Sequence, residues 1–467
     1  MTTSNIFGTL NTARLGLMAQ QAGINVTGQN VANVNTEGYT RRRVVLGSMP
    51  GPPLGGGGVN ILGLKRYFDK FSTDRLVTEE NLLGYASQRS EVLSQCSEMF
   101  NDLEGSGLGD VLDSFWGSIR QLESSPSDVT VREEVIARGD ELADTFNRVS
   151  KEIESVRRSI DDILRASTVE INSKTEEVAR LNDEISIDMT QGVDVSDLLD
   201  RRDQLVREVS KQVSISCFEN DQRQINIFLE GGMPLVDGKN QSRLNVSQSA
   251  APGAAPVEYV STNGQVSDVT RMIKGGALGA AIEVRDTVVP GFIADLNQLA
   301  YDVATRFNAQ HVVGYGLDGV NGRNFFTPLA SVANAASLFQ VDAGAASDPN
   351  VIAAAEDPSM LPGDNRNALD LAALADMDLA GGGTVTFNEA YASLVGNVGV
   401  ETRRANDEVA MRTTSITHIE AIRDSSSGVS IDEEMTNLVQ YQRAYQASTK
   451  VLSVVDEMLQ TLLSMKG

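Results

Sequence analysis

The sequence has few of the residues on which enzymes and disulfide-stabilised proteins depend. It contains two histidines, two cysteines and one tryptophan, and aromatic residues make up 5% of the chain. Cys96 and Cys217 are far apart, so we interpret them as unpaired thiols rather than as a disulfide framework or a metal site. His311 and His418 have neither HExxH spacing nor a neighbouring cysteine, and both are expected to be structural. We therefore predict no enzyme, with no catalytic, cofactor-binding or metal site.

Long apolar runs are missing as well. No run approaches the roughly 18–20 residues that a membrane helix requires, so no membrane partner is expected. The opening "MTTSNIFGTLNTARLGLMAQ" has no basic segment followed by a continuous apolar segment, so we predict no cleaved secretory signal. If the protein leaves the cytoplasm, it is expected to do so by another route.

Positive charge is scarce and unevenly placed. The net charge is −24, yet residues 1–70 carry seven Lys and Arg against Glu37 and Asp69, which leaves −29 for residues 71–467. An acidic body repels phosphates, and no basic stripe with interleaved aromatics is present. Nucleic acid is therefore excluded as an expected partner.

What the chain does contain is apolar residues at helical spacing. Over 129–189 they recur at steps of three and four for about fifty residues, which predicts one long coiled-coil helix of roughly 80–90 Å. Shorter helices are predicted over 68–103, 108–123, 196–213, 283–311 and 387–424. The stripe of the long helix consists of Val135, Leu142, Phe146, Val149, Ile153, Val156, Ile160, Ile163, Ile171, Val178, Leu181 and Ile185. Scarce aromatics and many small residues favour such thin helical contacts over one large aromatic core.

Two stretches of different composition interrupt the helices. Residues 214–273 alternate apolar and polar residues between Gly and Asn turns, which predicts an inserted domain of short antiparallel strands. Residues 312–386 are rich in Gly, Ala and Asp, and a β-hairpin and loop region is expected there. Within it, "DGVNGRN" (318–324) lacks the register of a calcium loop and is interpreted as a turn.

Both ends of the chain are predicted to be amphipathic helices that pair with each other. The N-terminal helix covers 4–34, and its apolar stripe is formed by Ile6, Leu10, Leu17, Ile24 and Val31. The C-terminal helix follows "SSSGVS", with Ser430 and Glu433 as a predicted capping box. Its stripe is formed by Ile431, Met435, Leu438, Tyr441, Tyr445, Leu452, Val455, Leu459 and Leu462.

A pair of helices covers only one face of each member, so two interpretations are open. In one, the pair is a plain hairpin folded onto the body. In the other, which we favour, further copies of the same helices complete the burial and the ends order on assembly. Packing of identical subunits in this way yields an open stack or tube rather than a closed dimer.

The segment "GQNVANVNTEGYTRRRV" (28–44) joins the N-terminal helix to the body. Its asparagines and Gly38 suit a sharp turn after the helix. Arg41, Arg42 and Arg43 then follow. They are expected either to contact acidic groups on neighbouring subunits or to form a solvated face.

This segment resembles the N-terminal signature of bacterial flagellar rod, hook and hook-associated proteins, N-x-A-N-x-x-T-x-G-Y followed by basic residues. "QRAYQA" and "DEMLQTLL" near the C-terminus resemble the closing helix of the same families. The matching N-terminal positions are Asn30, Ala32, Asn33, Asn35, Thr36, Gly38 and Tyr39.

Four internal segments are similar to the hook-associated proteins of the hook–filament junction. They are "DLLDRRDQLV" (197–206), "GGALGAAIEVRDTVVPGFIADLNQLA" (275–300), "GDNRNALDLAALAD" (363–376) and "TFNEAYASLVGNVG" (386–399). The resemblance implies a non-enzymatic junction layer that is exported through the flagellar channel to the extracellular flagellum. It also implies four partners: further copies of the chain, hook protein, a second junction protein, and a cytoplasmic export chaperone that covers the C-terminal helix.

Two alternatives stay open at this point: a hook or distal-rod axial protein, and a secreted adhesin-like module carried on a helical scaffold. The expected fold is mainly α with β parts, elongated and multidomain. The expected domains are a terminal assembly domain (1–45 with 425–467), a helical body with a β-hairpin region (46–213 with 274–424), and the inserted β domain (214–273).

Overall fold

The structure of the chain is a computed structural model that describes residues 3–36, 38–50, 57–100, 107–249 and 253–464, without the side chains of residues 3–5 and 462. Helices dominate it. In chain order they are α1 (Thr3–Ala32), α2 (Lys70–Met99), α3 (Leu108–Ser124), α4 (Val129–Thr190), α5 (Ser196–Gln212), α6 (Gly276–Glu283), α7 (Val289–His311), α8 (Ala343–Ser347), α9 (Arg366–Ala373), α10 (Phe387–Ser427) and α11 (Ile431–Ser464).

The described strands form three small antiparallel sheets. The first is the hairpin β1 (Arg42–Met49) and β2 (Gly58–Arg66). The second has the order β3 (Ile215–Glu219), β4 (Ile225–Leu229), β5 (Pro234–Asp237) and β6 (Asn240–Gln241), and the third β7 (Arg243–Val246), β8 (Val257–Val260) and β9 (Val266–Asp268). The predicted class, mainly α with β parts, is confirmed.

Helix α4 is the central helix of the body. Its 62 residues correspond to about 93 Å at 1.5 Å per residue. Asp128 caps its start by accepting a hydrogen bond from the Thr130 amide at 2.9 Å. Every member of the predicted stripe is buried except Ile163, which is half-buried beside the fully buried Leu164. The long helix read from the heptad spacing is therefore confirmed.

The two sheets between 215 and 268 pack on α4 and share its core, so the β region is not a separately packed insert. Polar side chains of α4 form hydrogen bonds with the backbone of the β region. The Asn172 side chain accepts from the Leu244 amide and donates to its carbonyl. The Asn182 side chain accepts from the Ile225 amide and donates to the carbonyls of Ile225 and Gly238. Asn172 thus supplies a partner for the edge strand β7, and Asn182 binds the start of the inner strand β4 and the turn between β5 and β6.

The helix predicted from 283 begins earlier, at Gly276. Gly276 has φ +66°, and a side chain at this position would overlap the backbone of residues 212 and 213. The Gly-rich start carries little helical signal, so the sequence pattern missed it. A π-helical turn, Val284–Val288, joins α6 to α7 and carries the buried Arg285. Its guanidinium pairs with Asp161 of α4 at 2.9 Å and donates to the Ala255 carbonyl at 2.6 Å.

The β-hairpin predicted within 312–386 is wrong. This stretch contains three isolated bridges and the short helices α8 and α9, with no two-stranded ladder. Its aromatic residues anchor it to the helices instead. Phe325 and Phe326 pack against Phe115 of α3 and Phe307 of α7, with ring centroids 5.1–5.9 Å apart.

The aromatic residues are scarce but concentrated, contrary to the expectation of thin helical contacts alone. The rings of Phe115, Trp116, Phe307 and Phe387 form one connected cluster with those of the 325–339 stretch. The cluster holds α3, α7, α10 and the irregular segment together.

Helices α1 and α11 pack against each other, as predicted, and the β1–β2 hairpin packs along α1. The Thr12 hydroxyl donates to the Gly57 carbonyl at 2.9 Å. We call α1, β1, β2 and α11 the terminal module. Strand β1 crosses the expected domain boundary at 45, since its first half binds the body and its second half follows α1.

Candidate functional site: the terminal module and its attachment to the body

Helices α1 and α11 run antiparallel in a fixed register. A side chain at Gly16 would meet Ser448 at 3.3 Å, one at Gly23 would lie 2.8 Å from the ring of Tyr441, and Asn30 bonds Glu434. Successive contact residues are seven positions apart on α1 and also seven positions apart on α11. Glycine at two successive heptad positions therefore brings the two helix backbones together.

The predicted stripe of α1 lies beside this contact and is only partly covered. Ile6, Leu10, Leu17, Ile24 and Val31 are all half-buried. The residues that are fully buried are small or polar: Ala13, Ala19, Gly23, Val26, Thr27 and Asn30. The sequence analysis missed most of this line because it searched for large apolar residues.

The predicted stripe of α11 divides into three groups. Val455 is buried; Leu438, Tyr441, Leu452 and Leu459 are half-buried; and Ile431, Met435 and Tyr445 are exposed. The side chain of Leu462 lies outside the described residues. One chain therefore covers only part of the apolar surface of its own C-terminal helix.

Asn30 is the centre of the signature motif. Its amide oxygen accepts from the Arg42 backbone at 3.1 Å and from the Tyr39 hydroxyl at 2.9 Å. Its amide nitrogen donates to the Arg42 carbonyl at 2.9 Å and to Glu434 at 3.0 Å. The side chain is 1% exposed, and all of these partners are held by this one amide. Asn30 thus joins the end of α1, the start of β1 and the start of α11.

The rest of the motif shapes the turn between α1 and β1. Asn33 donates to the Gln29 carbonyl and accepts from the Thr36 hydroxyl, which closes the end of the helix. Gly38 has φ +81°, a conformation that favours glycine. Asn35 is exposed. The structure therefore gives Asn30, Asn33, Thr36, Gly38 and Tyr39 roles within one chain.

Arg41 forms ion pairs within its own chain instead of facing solvent. It contacts Glu433 and Glu434 at 2.7 Å each, and its guanidinium lies 5.6 Å from the ring centre of Tyr67. Adjacent Glu433 and Glu434 thus both bind one guanidinium. The Ser430 hydroxyl lies 3.5 Å from the Glu433 amide, but the Glu433 side chain turns to Arg41 instead of completing the predicted capping box.

Arg42 is buried and pairs with helix α5. It contacts Asp197 at 2.5 Å and Asp200 at 3.1 Å, and it stacks 4.8 Å from the ring centre of Tyr39. Burial disfavours its charged form, but the hydrogen bonds and charge of Asp197 outweigh this, and the pKa of Arg42 is raised above its usual value. Arg43 is exposed. Arg41 and Arg42 therefore both pair with acidic groups of their own chain.

Three aspartates at i, i+3 and i+6 form the acidic face of α5. Asp200 accepts from the Thr40 hydroxyl at 2.6 Å and pairs with Arg66 at 2.8 Å, and Asp203 pairs with the same arginine at 2.7 Å. Burial raises the pKa of Asp203, an effect that Arg66 opposes. We call Asp197, Asp200 and Asp203 with Arg42 and Arg66 the ionic attachment of the terminal module. Sequence reasoning missed it, although the regular spacing of the aspartates was visible.

The other polar residues that the sequence singled out have structural environments. His311 is fully buried, donates through Nδ1 to the Arg323 carbonyl at 2.8 Å and accepts at Nε2 from the Ala353 amide at 3.0 Å. Burial lowers its pKa to about 4, which fixes it as neutral. Asp318 pairs with Arg323 in a turn, and Cys96 and Cys217 are free thiols.

The described residues contain no group of three or more His, Cys, Asp or Glu placed to hold a metal ion. No helix in the described part of the chain combines the length and the apolar character needed to cross a membrane.

Comparison with known proteins places both ends of the chain in one class. The family described as "Flagella basal body rod protein" matches residues 10–40, and "Flagellar basal body rod FlgEFG protein C-terminal" matches residues 423–465. These are the two helices of the terminal module. Both ends of the chain are therefore similar to flagellar basal body rod proteins.

The family described as "Flagellar hook-associated protein FlgK helical domain" matches residues 93–326, half of the chain. The chain therefore belongs to the flagellar hook-associated protein FlgK family and is a structural component of the flagellum. The resemblance inferred from the sequence motifs is confirmed.

Full-length relatives and a solved structure agree. Flagellar hook-associated protein 1 of Bacillus subtilis strain 168 is 29% identical, with 100% of this chain and 99% of the relative covered. The protein of the same name from Salmonella typhimurium is 27% identical over 98% and 99%. The flagellar hook junction protein FlgK from Burkholderia pseudomallei has a similar fold, with a TM-score of 0.67 at 16% identity over 76% of this chain and all of that one.

Proposed function

We propose that this chain forms the junction layer between the flagellar hook and the filament, and that copies of it assemble through α1 and α11. The observation that carries the proposal is the partly covered apolar surface of the terminal module. Ile431, Met435 and Tyr445 are exposed in one chain, whereas every member of the stripe of α4 except the half-buried Ile163 is buried. An apolar face of this kind gains stability when another chain covers it.

The proposed partners follow from that surface and from the relatives' names. Further copies of the chain cover the terminal helices, hook protein lies on one side of the layer, and a second junction protein lies on the filament side. Before export, a cytoplasmic chaperone covers the exposed stripe of α11. We propose export through the flagellar channel to the extracellular flagellum, and a structural rather than a catalytic role.

The domain division that accompanies this function has three parts. Residues 1–45 with 425–467 form the assembly domain, residues 46–213 with 274–424 form the body, and residues 214–273 form the β region. Within the ionic attachment, Arg42 belongs to the first part, whereas Arg66 and the three aspartates belong to the second. The β region packs on the C-terminal half of α4, and its Glu219 pairs with Arg202 of α5, next to the ionic attachment.

Deletion of the gene in its own host tests the function. Electron microscopy of the cells is expected to show hooks without filaments, and the culture medium is expected to contain monomeric flagellin. Complementation with the intact gene should restore filaments. Normal flagella on the deletion strain would contradict the proposal.

A second candidate, a hook or distal-rod protein, is favoured by the rod-family matches at both ends. The same deletion separates the two, because loss of a hook or rod protein removes the hook itself. Cells without hooks would therefore support this candidate instead of the junction role.

A further inference from the structure

A cleft of about 810 Å³ opens in the terminal module between α1, β1 and α11, and most of its lining is polar. The ion pairs of Arg41 with Glu433 and Glu434 lie in its wall, and Asp432 stands exposed at its edge. Polar groups that lose water on binding need hydrogen-bond partners. The lining therefore favours an occupant that is held by hydrogen bonds and not by apolar contact.

Strand β1 presents an unpaired edge to this cleft. Asn30 binds both backbone groups of Arg42, which therefore point away from β2. Backbone groups alternate along an antiparallel strand, and the extra residue of the bulge lies in β2, so those of Val44 and Leu46 point the same way as those of Arg42. Both residues line the cleft, and beyond the β1–β2 ladder no described residue forms a hydrogen bond with their backbone groups. A side chain thus closes the edge at Arg42, and the edge is open beyond it.

Three side-chain amides line the same cleft: Gln20 on α1, and Asn437 and Gln440 on α11. None of them forms a hydrogen bond with the described part of the chain. In the body, helix amides of this kind bind the backbone of packed strands, as Asn172 and Asn182 do from α4. The cleft therefore offers groups suited to bind a peptide backbone on two sides, with space between them.

We infer that an extended segment of another flagellar subunit, about five residues long, occupies this cleft as a third strand beside β1. Its backbone pairs with Val44 and Leu46 on one side and with the amides of Asn437 and Gln440 on the other. Every strand in the described part of this chain already lies in a sheet, so we assign the segment to a different subunit and not to a second copy. The inference rests on the proposed place of the chain in the flagellum and adds a contact made through main-chain groups.

Hydrogen exchange of the β1 amides tests the added strand directly. Exchange is measured in the isolated chain and in hooks isolated from cells with their junctions attached. The amides of Val44 and Leu46 are expected to exchange about tenfold more slowly in the assembly, because each gains a hydrogen-bond partner there. Ser48 is the control within the same strand, since its amide also points away from β2 but lies outside the cleft.

Two outcomes of this measurement would overturn the inference. One is unchanged exchange at Val44 and Leu46 in assembled junctions, which would leave the junction role intact. The other is equal slowing at Ser48, which would show general burial of the hairpin instead of an added strand. Absence of the chain from the hook ends would overturn the proposed function as well.

Photo-crosslinking identifies the segment. The photoreactive amino acid p-benzoylphenylalanine is placed at Gln440 in cells, and isolated hooks with junctions are irradiated and analysed by mass spectrometry. The expected product joins the chain to one short stretch of a different subunit. Gln442 is the matched control, because it is equally exposed on α11 but does not line the cleft. A product that contains only this chain, or the same product from both positions, would overturn the assignment.

A proline in β1 tests the role of the edge in cells. Leu46→Pro removes an amide that points away from β2, so the hairpin ladder is kept while the added strand loses a donor. It is expected to lower the number of filament-bearing cells by about tenfold. Leu46→Ala keeps the amide and is expected to leave attachment unchanged, and far-UV circular dichroism checks that both variants are folded. Equal attachment in the two variants, whether normal or reduced, would contradict a main-chain contact at this edge.

Discussion

The body and the terminal module use the same heptad spacing in opposite ways. On α4 the apolar stripe from Val135 to Ile185 is buried by the chain itself, apart from the half-buried Ile163. On α1 the close contact with α11 is made by Gly16 and Gly23, and large apolar residues of both helices stay at the surface. Heptad spacing therefore shows where a helix has a partner surface, whereas large apolar residues left exposed beside a contact show which surface one chain does not cover.

The modes of attachment differ as well. The body is held by an aromatic cluster and by side-chain amides that bind the β region, whereas the terminal module is held to α5 by five charged side chains. Removal of body contacts is thus expected to unfold the chain, and removal of module contacts to alter assembly.

The largest effect on stability is expected from Phe146→Ala on α4. The ring is fully buried and lies 4.8 Å from that of Phe339, so its loss is expected to lower the free energy of unfolding by about 3–5 kcal/mol. Phe7→Ala, an exposed phenylalanine of α1, is the control and should change it by less than about 0.5 kcal/mol. Urea unfolding followed by circular dichroism measures both, and equal losses would erase the proposed difference between the two regions.

A change of pH tests the buried histidine of the body. The pKa of His311 is about 4 in the folded chain against 6.5 for an unperturbed histidine, so the folded state binds fewer protons between these values. The stability that the neutral ring contributes is fully present above about pH 6.5 and is lost as the pH falls toward 4, by about 3 kcal/mol.

The comparison of wild type with His311→Gln isolates this effect, since other groups titrate equally in both. The difference between their unfolding free energies is expected to shrink as the pH falls from 7 to 4. A difference that stays constant across this range would show that the ring is not buried as a neutral group.

A smaller and local effect is expected at the ionic attachment. Asp200→Asn leaves Arg42, Arg66 and Thr40 with a neutral partner, and it is expected to lower the local opening free energy of residues 33–41 by about 1–3 kcal/mol. Hydrogen exchange measures this opening. Asp221→Asn, an exposed aspartate in the β region, is the control, and faster exchange in both variants would argue against a local role.

The smallest effect on stability, and the largest on assembly, is expected from Leu452→Asp or Leu459→Asp. Both side chains are half-buried on α11, so the body should unfold as in wild type while a charge enters the surface proposed to be shared between copies. Filament attachment in cells is the readout, with Gln446→Asp on the exposed side of the same helix as the control. Normal attachment in both leucine variants would refute assembly through α11.

Much of the helical fold could be predicted because its signal is local. The spacing of the apolar residues from Val135 to Ile185 was enough to predict α4 and its buried face. The pattern from Phe387 to Asp424 predicted nearly the full length of α10. The α1–α11 pair was predicted as a pair, but its contact line was not. Gly16 and Gly23 contribute no apolar signal, although they decide how close the two helices come.

The features that could not be predicted from the sequence depend on contacts between residues that are far apart along the chain. Arg42 and Asp197 are 155 positions apart, so each was recognisable only as a charge and not as a pair. The strands of the β region carried a clear alternating signal, but nothing local showed that Asn172 and Asn182 of α4 bind their backbone. The segment 312–386 has composition typical of turns, and its aromatic anchors become evident only once α3 and α7 are in place.

The amide of Asn30 also sets an order of events in folding. Its contact with Glu434 spans 404 positions, so no shorter chain that stops before α11 contains both halves of the motif. Contacts this distant in sequence form late, because the entropy cost of closing a long loop comes before the stabilisation from the contact. A chain emerging from the ribosome can fold α4 and its partners early. The Asn30 amide of the first helix gains its hydrogen bond to Glu434 only after the last thirty-five residues have been synthesised.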